Sequence, residues 1–308
     1  MKDLFKNIIT DFQKAIPVKK VKPRQIQISL DAQKIISVTG PRRSGKTYLF
    51  YFLINQLLKT VKPQQIVYIN FEDERLNLNS EHLQLLLDAY FELNPDSDHS
   101  PIYFFFDEIQ VVPNWEKFVR RVYDTVSKHI FITGSSSKML AQEIATSLRG
   151  RHLVYHIYPL SFREYCSFNG LDVKDIHSTR NRAALAHQFG RYLHHGGFPE
   201  LLFLEPDLTL KTLQSYFDVM IFRDLIERYE IRQMVALKYF IKRLFESISS
   251  EFSINKIFND LKSMGIRITR DRLYDFLDYV TDVFLFCCLS LSKITAKESN
   301  VEQKSLCH

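Results

Sequence analysis

The sequence contains little cysteine and no long apolar run. It has four cysteines in 308 residues, none in a CxxC spacing, and Cys287 and Cys288 are adjacent within the apolar run 283–289. We therefore expect reduced core thiols rather than a zinc site or a disulfide framework. No stretch approaches the roughly 18–20 apolar residues that a membrane-spanning helix needs, and the first residues do not resemble a signal peptide. These absences predict a cytoplasmic protein without a membrane partner.

Glycine is also scarce, with nine residues, and no internal repeat or low-complexity tract occurs. The apolar (45%) and charged (25%) fractions are those of a globular chain. The length is enough for two domains of about 100–200 residues each. The formal charge is +6, yet residues 1–60 carry twelve Lys or Arg against three Asp, a balance of +9. Such a segment attracts nucleic acid or a polyphosphate, and it is equally compatible with a solvated basic face.

Short apolar runs alternate with helical patterns in the first half of the chain. The runs are 35–38, 66–69, 102–106, 130–132 and 153–155, and the helical patterns are 48–58, 81–93 and 115–127. Continuous apolar runs are typical of strands that are buried on both faces. We therefore predict an α/β fold with a parallel sheet, whose ligands bind at the carboxyl ends of the strands.

The pattern becomes helical after Pro159. Two apolar stripes, at 254–261 and 273–280, flank a turn at Gly265, and Thr269 is suited to cap the second helix. This is a helix-turn-helix outline, and a strand-like run at 283–289 follows it. Residues 292–308 are polar, so we expect them to be disordered.

The strongest motif is GPRRSGKT at Gly40–Thr47, a GxxxxGK[ST] loop between a predicted strand and a predicted helix. In such a loop the backbone N–H groups curl around phosphate oxygens, the lysine reaches the β- and γ-phosphates, and the threonine hydroxyl coordinates Mg²⁺. Thr47 is therefore a predicted metal ligand. The predicted nucleotide-binding residues are Gly40, Arg43, Ser44, Gly45, Lys46, Thr47 and Tyr48.

A pair of acids ends the apolar run 102–106. Asp107 is predicted to hold Mg²⁺ through water, and Glu108 to orient and deprotonate an attacking water. A small-molecule kinase with a P-loop has no need of a base beside the metal-binding Asp, so Glu108 favours hydrolysis. Lys46 and Glu108 are therefore the central catalytic candidates.

Three further positions are candidates of other kinds. Ser135 follows the run 130–132 and is predicted to sense the γ-phosphate. Asn70 either forms a turn or holds Glu108 in an inactive position. Arg149, with Arg151 nearby, either stabilises the transferring phosphoryl group, usually from a neighbouring subunit, or belongs to a surface arginine pair.

Several segments occur together in an order that resembles a known family. They are GPRRSGKT, FFDEIQ, ITGSSS, LRGR, YPLSFREY and, at 196–200, GGFPE. From about residue 25 to residue 289 the chain resembles the bacterial and archaeal AAA-type ATPases whose second half is a domain of unknown function. The resemblance implies a P-loop ATPase fold of the AAA+ and STAND kind, ATP rather than GTP as the nucleotide, and a winged-helix segment near 246–291.

Members of that family usually continue into a segment that resembles a nuclease. After residue 291 this chain has no Asp followed by a Glu-x-Lys element, so we expect no nuclease activity. The predicted organisation is an N-terminal helix and basic connector (1–24), a P-loop ATPase domain (25–158), a helical domain (159–245), a winged-helix-like segment (246–291) and a disordered tail (292–308).

These features favour a Mg²⁺-dependent ATPase whose nucleotide reorganises the helical half. One alternative is a regulatory module that binds ATP or ADP tightly with negligible turnover. Another is a nucleic-acid-binding regulator that uses the basic first 60 residues. The helix after Thr269 would face DNA in a winged helix, but its Asp271, Asp275 and Asp278 repel phosphate. A homo-oligomer and a protein client are further partners that the resemblance leaves open.

Overall fold

The computed structural model describes residues 1–17, 21–95, 101–135, 150–171, 173, 178–248, 250, 252–286, 288–290 and 305–307. The chain divides into two compact units, Met1–Leu210 and Lys211–His308. The boundary falls within the segment 159–245 that the sequence pattern assigned to one helical domain.

The first unit is built on a five-stranded parallel sheet. Its strands are β1 (Ile35–Thr39), β2 (Ile66–Asn70), β3 (Tyr103–Asp107), β4 (His129–Gly134) and β5 (His152–His156). They lie in the order β2-β3-β4-β1-β5, which confirms the predicted parallel α/β fold. Thr39 at the end of β1 lies between Gly134 of β4 and His156 of β5. The loop after β1 therefore leaves the sheet beside the carboxyl ends of its neighbours.

The helices of the first unit cover both faces of the sheet. They are α1 (Lys2–Ala15), α2 (Lys46–Leu57), α3 (His82–Leu93), α4 (Trp115–Thr125), α5 (Phe162–Phe168) and α6 (Thr179–His195), with 3₁₀ turns at Pro63–Gln65, Ile109–Val111 and Pro199–Phe203. Successive residues of β3 face opposite sides. Phe104 and Phe106 pack in the core that contains α1, α3 and α4 residues, whereas Phe105 packs with α2 and stacks on Phe131 at 4.6 Å. The end of β3 is thus fixed from both sides.

The second unit is helical. Helix α7 (Pro206–Val219) spans the boundary, and a π-helix (Met220–Glu227), α8 (Met234–Glu246), α9 (Ile254–Ser263) and α10 (Arg270–Asp282) follow. The helix-turn-helix outline is present as predicted. The side chain of Thr269 accepts a hydrogen bond from the Arg272 amide and caps α10. The core residues come mainly from α8, α9 and α10, with Ile221 and Leu225 of the π-helix and Val283 and Phe286 after α10 among the others.

The segment after α10 differs from the predicted strand over 283–289. Val283 and Phe286 are buried in the helical core of this unit, and the strand β6 begins only at Cys288 (Cys288–Ser290). It pairs antiparallel with β7 (Ser305–Cys307). Three residues of the segment expected to be disordered therefore form a strand, because backbone N–H and C=O groups of the two segments satisfy one another. Residues 291–304 and His308 lie outside the described residues.

In the parts of the chain that the structure describes, every helix is too short or too polar to cross a membrane.

Candidate functional site

Two glycines shape the loop between β1 and α2. A Cβ atom on Gly40 would lie 2.0 Å from the carbonyl oxygen of Ile157, so no side chain fits there. Gly45 has a φ of +98°, a backbone conformation that residues with side chains rarely adopt. Helix α2 begins directly after Gly45, and its first amides have no acceptors within the helix. The loop and the helix start therefore present backbone donors to an anion.

Lys46 lies buried in the mouth of this loop, with only 4% of its side chain exposed. Its Nζ donates to the carbonyl oxygens of Gly40 (3.0 Å) and Pro41 (3.2 Å). The same Nζ lies 3.3 Å from Oε1 of Glu108. The structure thus joins the P-loop to the acid pair through one buried cation.

The other predicted nucleotide-binding residues fall into two groups. Ser44 is buried, and its Oγ has no hydrogen-bond partner among the described residues. In contrast, the Arg43 side chain is 56% exposed, and its guanidinium donates to Oε2 of Glu200 at 2.8 Å. Tyr48 is exposed, with its ring edge against Tyr51. The side chains of Arg43 and Tyr48 therefore lie on the outer side of the loop.

Asp107 accepts hydrogen bonds from three hydroxyl groups. Thr47 Oγ1 donates to Oδ2 at 2.7 Å, Tyr68 OH donates to the same oxygen at 3.0 Å, and the Thr133 hydroxyl donates to Oδ1. Burial raises the pKa of Asp107 above its ordinary value, although these hydrogen bonds act in the opposite direction. Burial, together with the charge of Asp107, also raises the pKa of Tyr68, so its hydroxyl remains a donor.

Glu108 occupies a strained backbone position, with a φ of 53°. Such conformations cost about 1–3 kcal/mol and are frequent at functional sites. Its Oε2 accepts from Gln110 Nε2 at 2.6 Å, and its amide donates to Thr133 Oγ1 at 2.8 Å. Burial alone would raise the pKa of Glu108, but the Lys46 charge and the Gln110 hydrogen bond lower it. The carboxyl group is therefore ionised at neutral pH.

Three residues that the motifs did not assign to the site, Tyr68, Thr133 and Gln110, also contact the acid pair. Tyr68 lies within an apolar run, and Thr133 and Gln110 follow one closely. Their position in or near a strand was the only sequence signal for a place in the site. Ser135 is buried directly after β4, next to this edge of the sheet. Asn70 forms the turn that the sequence also allowed, because its Oδ1 accepts from the Glu72 amide at 3.0 Å.

Of the two candidate arginines that follow β4, the structure describes only Arg151. Arg149 lies outside the described residues. Arg151 donates to Oδ2 of Asp124 at 3.2 Å and precedes β5, at the amino end of that strand. The P-loop follows the carboxyl end of the parallel strand β1. Arg151 therefore lies at the opposite edge of the sheet from the P-loop of its own chain.

The residues present fit a Mg²⁺-nucleotide complex. The Thr47 hydroxyl and the Asp107 carboxylate, 2.7 Å apart, are the hard oxygen donors that Mg²⁺ prefers. The unpartnered Ser44 Oγ is a free polar group within the loop. Among the described residues there is no cluster of three or more His, Cys, Asp or Glu that could hold a metal. Magnesium usually takes one or two carboxylates, with phosphates and waters as its other ligands.

Two curated proteins are similar to this chain over most of its length. An uncharacterized protein of Methanocaldococcus jannaschii is 40% identical over 291 residues, which are 94% of this chain and 64% of that protein. An uncharacterized protein of Haemophilus influenzae is 30% identical over 259 residues, 83% of this chain and 62% of that protein. The chain thus spans less than two thirds of either relative.

Among solved structures, AMPPCP-bound DnaA from Aquifex aeolicus is 10% identical, covers 89% of this chain and 86% of that chain, and has a TM-score of 0.35. Residues 32–166 match the family model described as an AAA domain. This span contains the P-loop, the acid pair and all five strands of the sheet. Over residues 32–166 the chain is therefore similar to an AAA domain.

Proposed function

We propose that the chain binds ATP with Mg²⁺ at Gly40–Thr47 and hydrolyses it. The observation that carries the proposal is the meeting of the P-loop and the acid pair: Lys46 Nζ lies 3.3 Å from Glu108, and Thr47 Oγ1 lies 2.7 Å from Asp107. Phosphoryl transfer needs a cradle for the phosphates, a metal site and a group that activates water. These three parts converge at one edge of the sheet.

Each residue has a distinct part in the proposed reaction. The loop amides and Lys46 bind the phosphates, and Thr47 and Asp107 hold Mg²⁺, which neutralises charge on the phosphate oxygens. Lys46 exchanges its carbonyl acceptors for phosphate oxygens, which weakens its hold on Glu108. The lowered pKa keeps Glu108 as a carboxylate, and it accepts the proton of the attacking water.

The proposal also gives roles to Ser135 and Arg149. Ser135, buried beside the end of β4, senses the γ-phosphate. Arg149 acts from a neighbouring subunit of a homo-oligomer. The nucleotide reorganises the second unit, in which we assign residues 246–291, with α9 and α10, to a winged-helix-like segment. A module that binds nucleotide tightly without turnover would share the cradle, and only a turnover measurement separates the two.

The contacts of the basic residues argue against a free nucleic-acid face on residues 1–60. Eight of the twelve contact carboxylates or carbonyl oxygens of their own chain, and these are Lys2, Lys6, Lys22, Arg24, Lys34, Arg42, Arg43 and Lys46. Lys19 and Lys20 lie outside the described residues. The positive charge of this segment therefore largely serves internal contacts.

The test is ATP binding and phosphate release by the wild type, Lys46→Ala and Glu108→Gln. Lys46→Ala should weaken binding, because it removes a cation from the cradle. Glu108→Gln should keep binding and lose about 10²–10⁴-fold in turnover, the usual contribution of a general base. Glu116→Gln, which changes a partly exposed acid in the first turn of α4, is the matched control. Equal turnover in the wild type and Glu108→Gln would remove Glu108 from the mechanism.

A further inference from the structure

The side chain of Arg24 is largely covered where it lies against the P-loop. Its Nη1 donates to the carbonyl oxygen of Ser44 at 2.9 Å, and its Nη2 donates to the carbonyl oxygen of Tyr158 at 2.8 Å. The same guanidinium forms a forked ion pair with Glu164, at 2.8 Å from Nε to Oε1 and 3.2 Å from Nη2 to Oε2. The exposed fractions of the two side chains are 11% and 9%. Arg24 thus links three separate segments of the first unit.

Glu164 is fixed independently of Arg24. Its Oε2 accepts from the Ser161 amide at 3.0 Å, in a capping box at the start of α5. Its Oε1 accepts from the Gln25 amide at 2.9 Å. Although burial acts to raise the pKa of Glu164, the Arg24 side chain and these two amides lower it. Glu164 is therefore a charged acceptor whose position is fixed by two backbone amides, and it holds Arg24 in place.

The Arg24 contact sets the direction of one amide in the phosphate loop. In a planar trans peptide the carbonyl group and the following N–H group point in opposite directions. Because the Ser44 carbonyl is directed to Arg24, the Gly45 N–H is directed away from it. The positive charge beside the carbonyl also polarises the peptide and strengthens its N–H as a donor.

The GGFPE motif and Tyr192 contact the segment that carries Glu164. Leu160 N donates to the carbonyl oxygen of Gly197 at 2.6 Å, and Tyr192 OH donates to the carbonyl oxygen of Leu160 at 2.8 Å. A Cβ atom on Gly197 would lie 2.3 Å from that same Leu160 oxygen, so only glycine allows this approach. The YPLSFREY and GGFPE motifs, which have no part in the proposed chemistry, therefore form one support beside the loop.

We propose that Arg24 is a positioning residue for the phosphate cradle and that Glu164 is its fixed counter-ion. The proposal rests on the proposed function and deepens it, since it assigns the orientation of the P-loop to residues that lie outside the loop. A merely structural ion pair would stabilise the first unit without affecting the loop.

The test compares Arg24→Gln, Glu164→Gln and the double variant with the wild type. Each single variant leaves one buried charge without its partner and should lower the melting temperature. The double variant removes both charges and should recover most of that loss. Its Ser44 carbonyl still lacks the guanidinium, so its Kd for a fluorescent ATP analogue should rise about tenfold, the equivalent of one hydrogen bond.

Hydrogen exchange of residues 40–47 without nucleotide is the second readout, and it should be faster in the double variant. Asp224→Asn, which breaks a buried ion pair with Arg228 in the second unit, is the matched control. It should lower the melting temperature and leave the Kd unchanged. A double variant with wild-type Kd and wild-type exchange at 40–47 would overturn the positioning role. A wild type that does not bind the analogue would refute the proposed function, and the exchange comparison would still decide the role of Arg24.

Discussion

Thr133 connects the two acids at the end of β3. Its hydroxyl donates to Asp107 and accepts the amide N–H of Glu108. One side chain therefore sets the position of the metal-binding carboxylate and of the backbone that carries the base. Its place on β4, the strand next to β3, makes this double contact possible.

Replacement of Thr133 by Val keeps the branched shape and removes the hydroxyl. We expect Thr133→Val to lose about 1–3 kcal/mol of stability, because a buried acceptor and a buried donor lose their partner. Turnover should fall more than ATP affinity does, since the loop itself is intact. Urea unfolding and phosphate release measure the two effects. Thr125→Val, at an exposed position of α4, is the control and should change neither quantity.

At the scale of single elements, α1 shows whether apolar packing or surface ion pairs hold a helix in place. Phe5 and Ile9 are fully buried in the core that includes α3. At the surface of the same helix, Lys2 and Lys6 pair with Glu92 at 2.7 and 2.6 Å. Truncation of a buried Phe typically costs about 3–5 kcal/mol, whereas exposed ion pairs contribute little because solvent and salt screen them. The apolar contacts therefore hold α1 to α3.

The first consequence is that two variants should differ in their free energy of unfolding. Phe5→Ala should lower the free energy of unfolding of the first unit by about 3–5 kcal/mol. Glu92→Gln should lower it only slightly. Urea unfolding at neutral pH, followed by circular dichroism, measures both changes. An equal loss in the two variants would mean that the ion pairs, and not the core, fix this helix.

The second consequence concerns pH. Hydrogen bonds and ion pairs with Lys2 and Lys6 lower the pKa of Glu92 from 4.5 to about 2. A carboxyl whose pKa is lower in the folded state stabilises above its unfolded pKa and loses that contribution as the pH falls through the folded value. The small stability difference between wild type and Glu92→Gln should be constant above pH 4.5 and fade between pH 4.5 and 2. A difference that grows in this window would contradict the assigned pairing.

Elements were predictable from the sequence where burial alone determines them. Four of the five apolar runs became β1 to β4, which are buried in the sheet and therefore apolar almost throughout. The fifth became the edge strand β5, although its Leu153 and Val154 are exposed. The run 283–289 misled the same reasoning, since Val283 and Phe286 are buried by helix packing instead. An apolar run reports burial, and it does not report which kind of element provides it.

Contacts between distant residues were not predictable. Tyr68 and Asp107 are 39 positions apart, Thr133 and Asp107 are 26 apart, and Arg24 and Glu164 are 140 apart. Their proximity depends on the strand order and on the chain path after β5, which local patterns do not determine. The P-loop was predictable because its chemistry lies within eight consecutive residues, and the acid pair because it lies within two.

At the scale of the whole molecule, nucleotide binding should stabilise the first unit and alter the second. ATP with Mg²⁺ at 100 times its Kd stabilises a binding-competent fold by about 2.7 kcal/mol. We expect a rise in melting temperature for the wild type and none for Lys46→Ala. Hydrogen exchange within 234–282 should also change with nucleotide in the wild type alone. An altered first unit beside an unaltered second unit would argue against the proposed switch.

The place of β1 in the sheet has a consequence for how the protein is made. Both neighbours of β1 come much later in the chain, because Ile36 pairs with Phe131 of β4 and Leu153 of β5. A ribosome must therefore synthesise more than ninety further residues before the strand that carries the P-loop gains its first partner in the sheet. Until then its apolar residues have no strand partners, and unpaired apolar segments of this kind are prone to aggregation. During synthesis, the site is incomplete until β4, which pairs with β1 and carries Thr133, has left the ribosome.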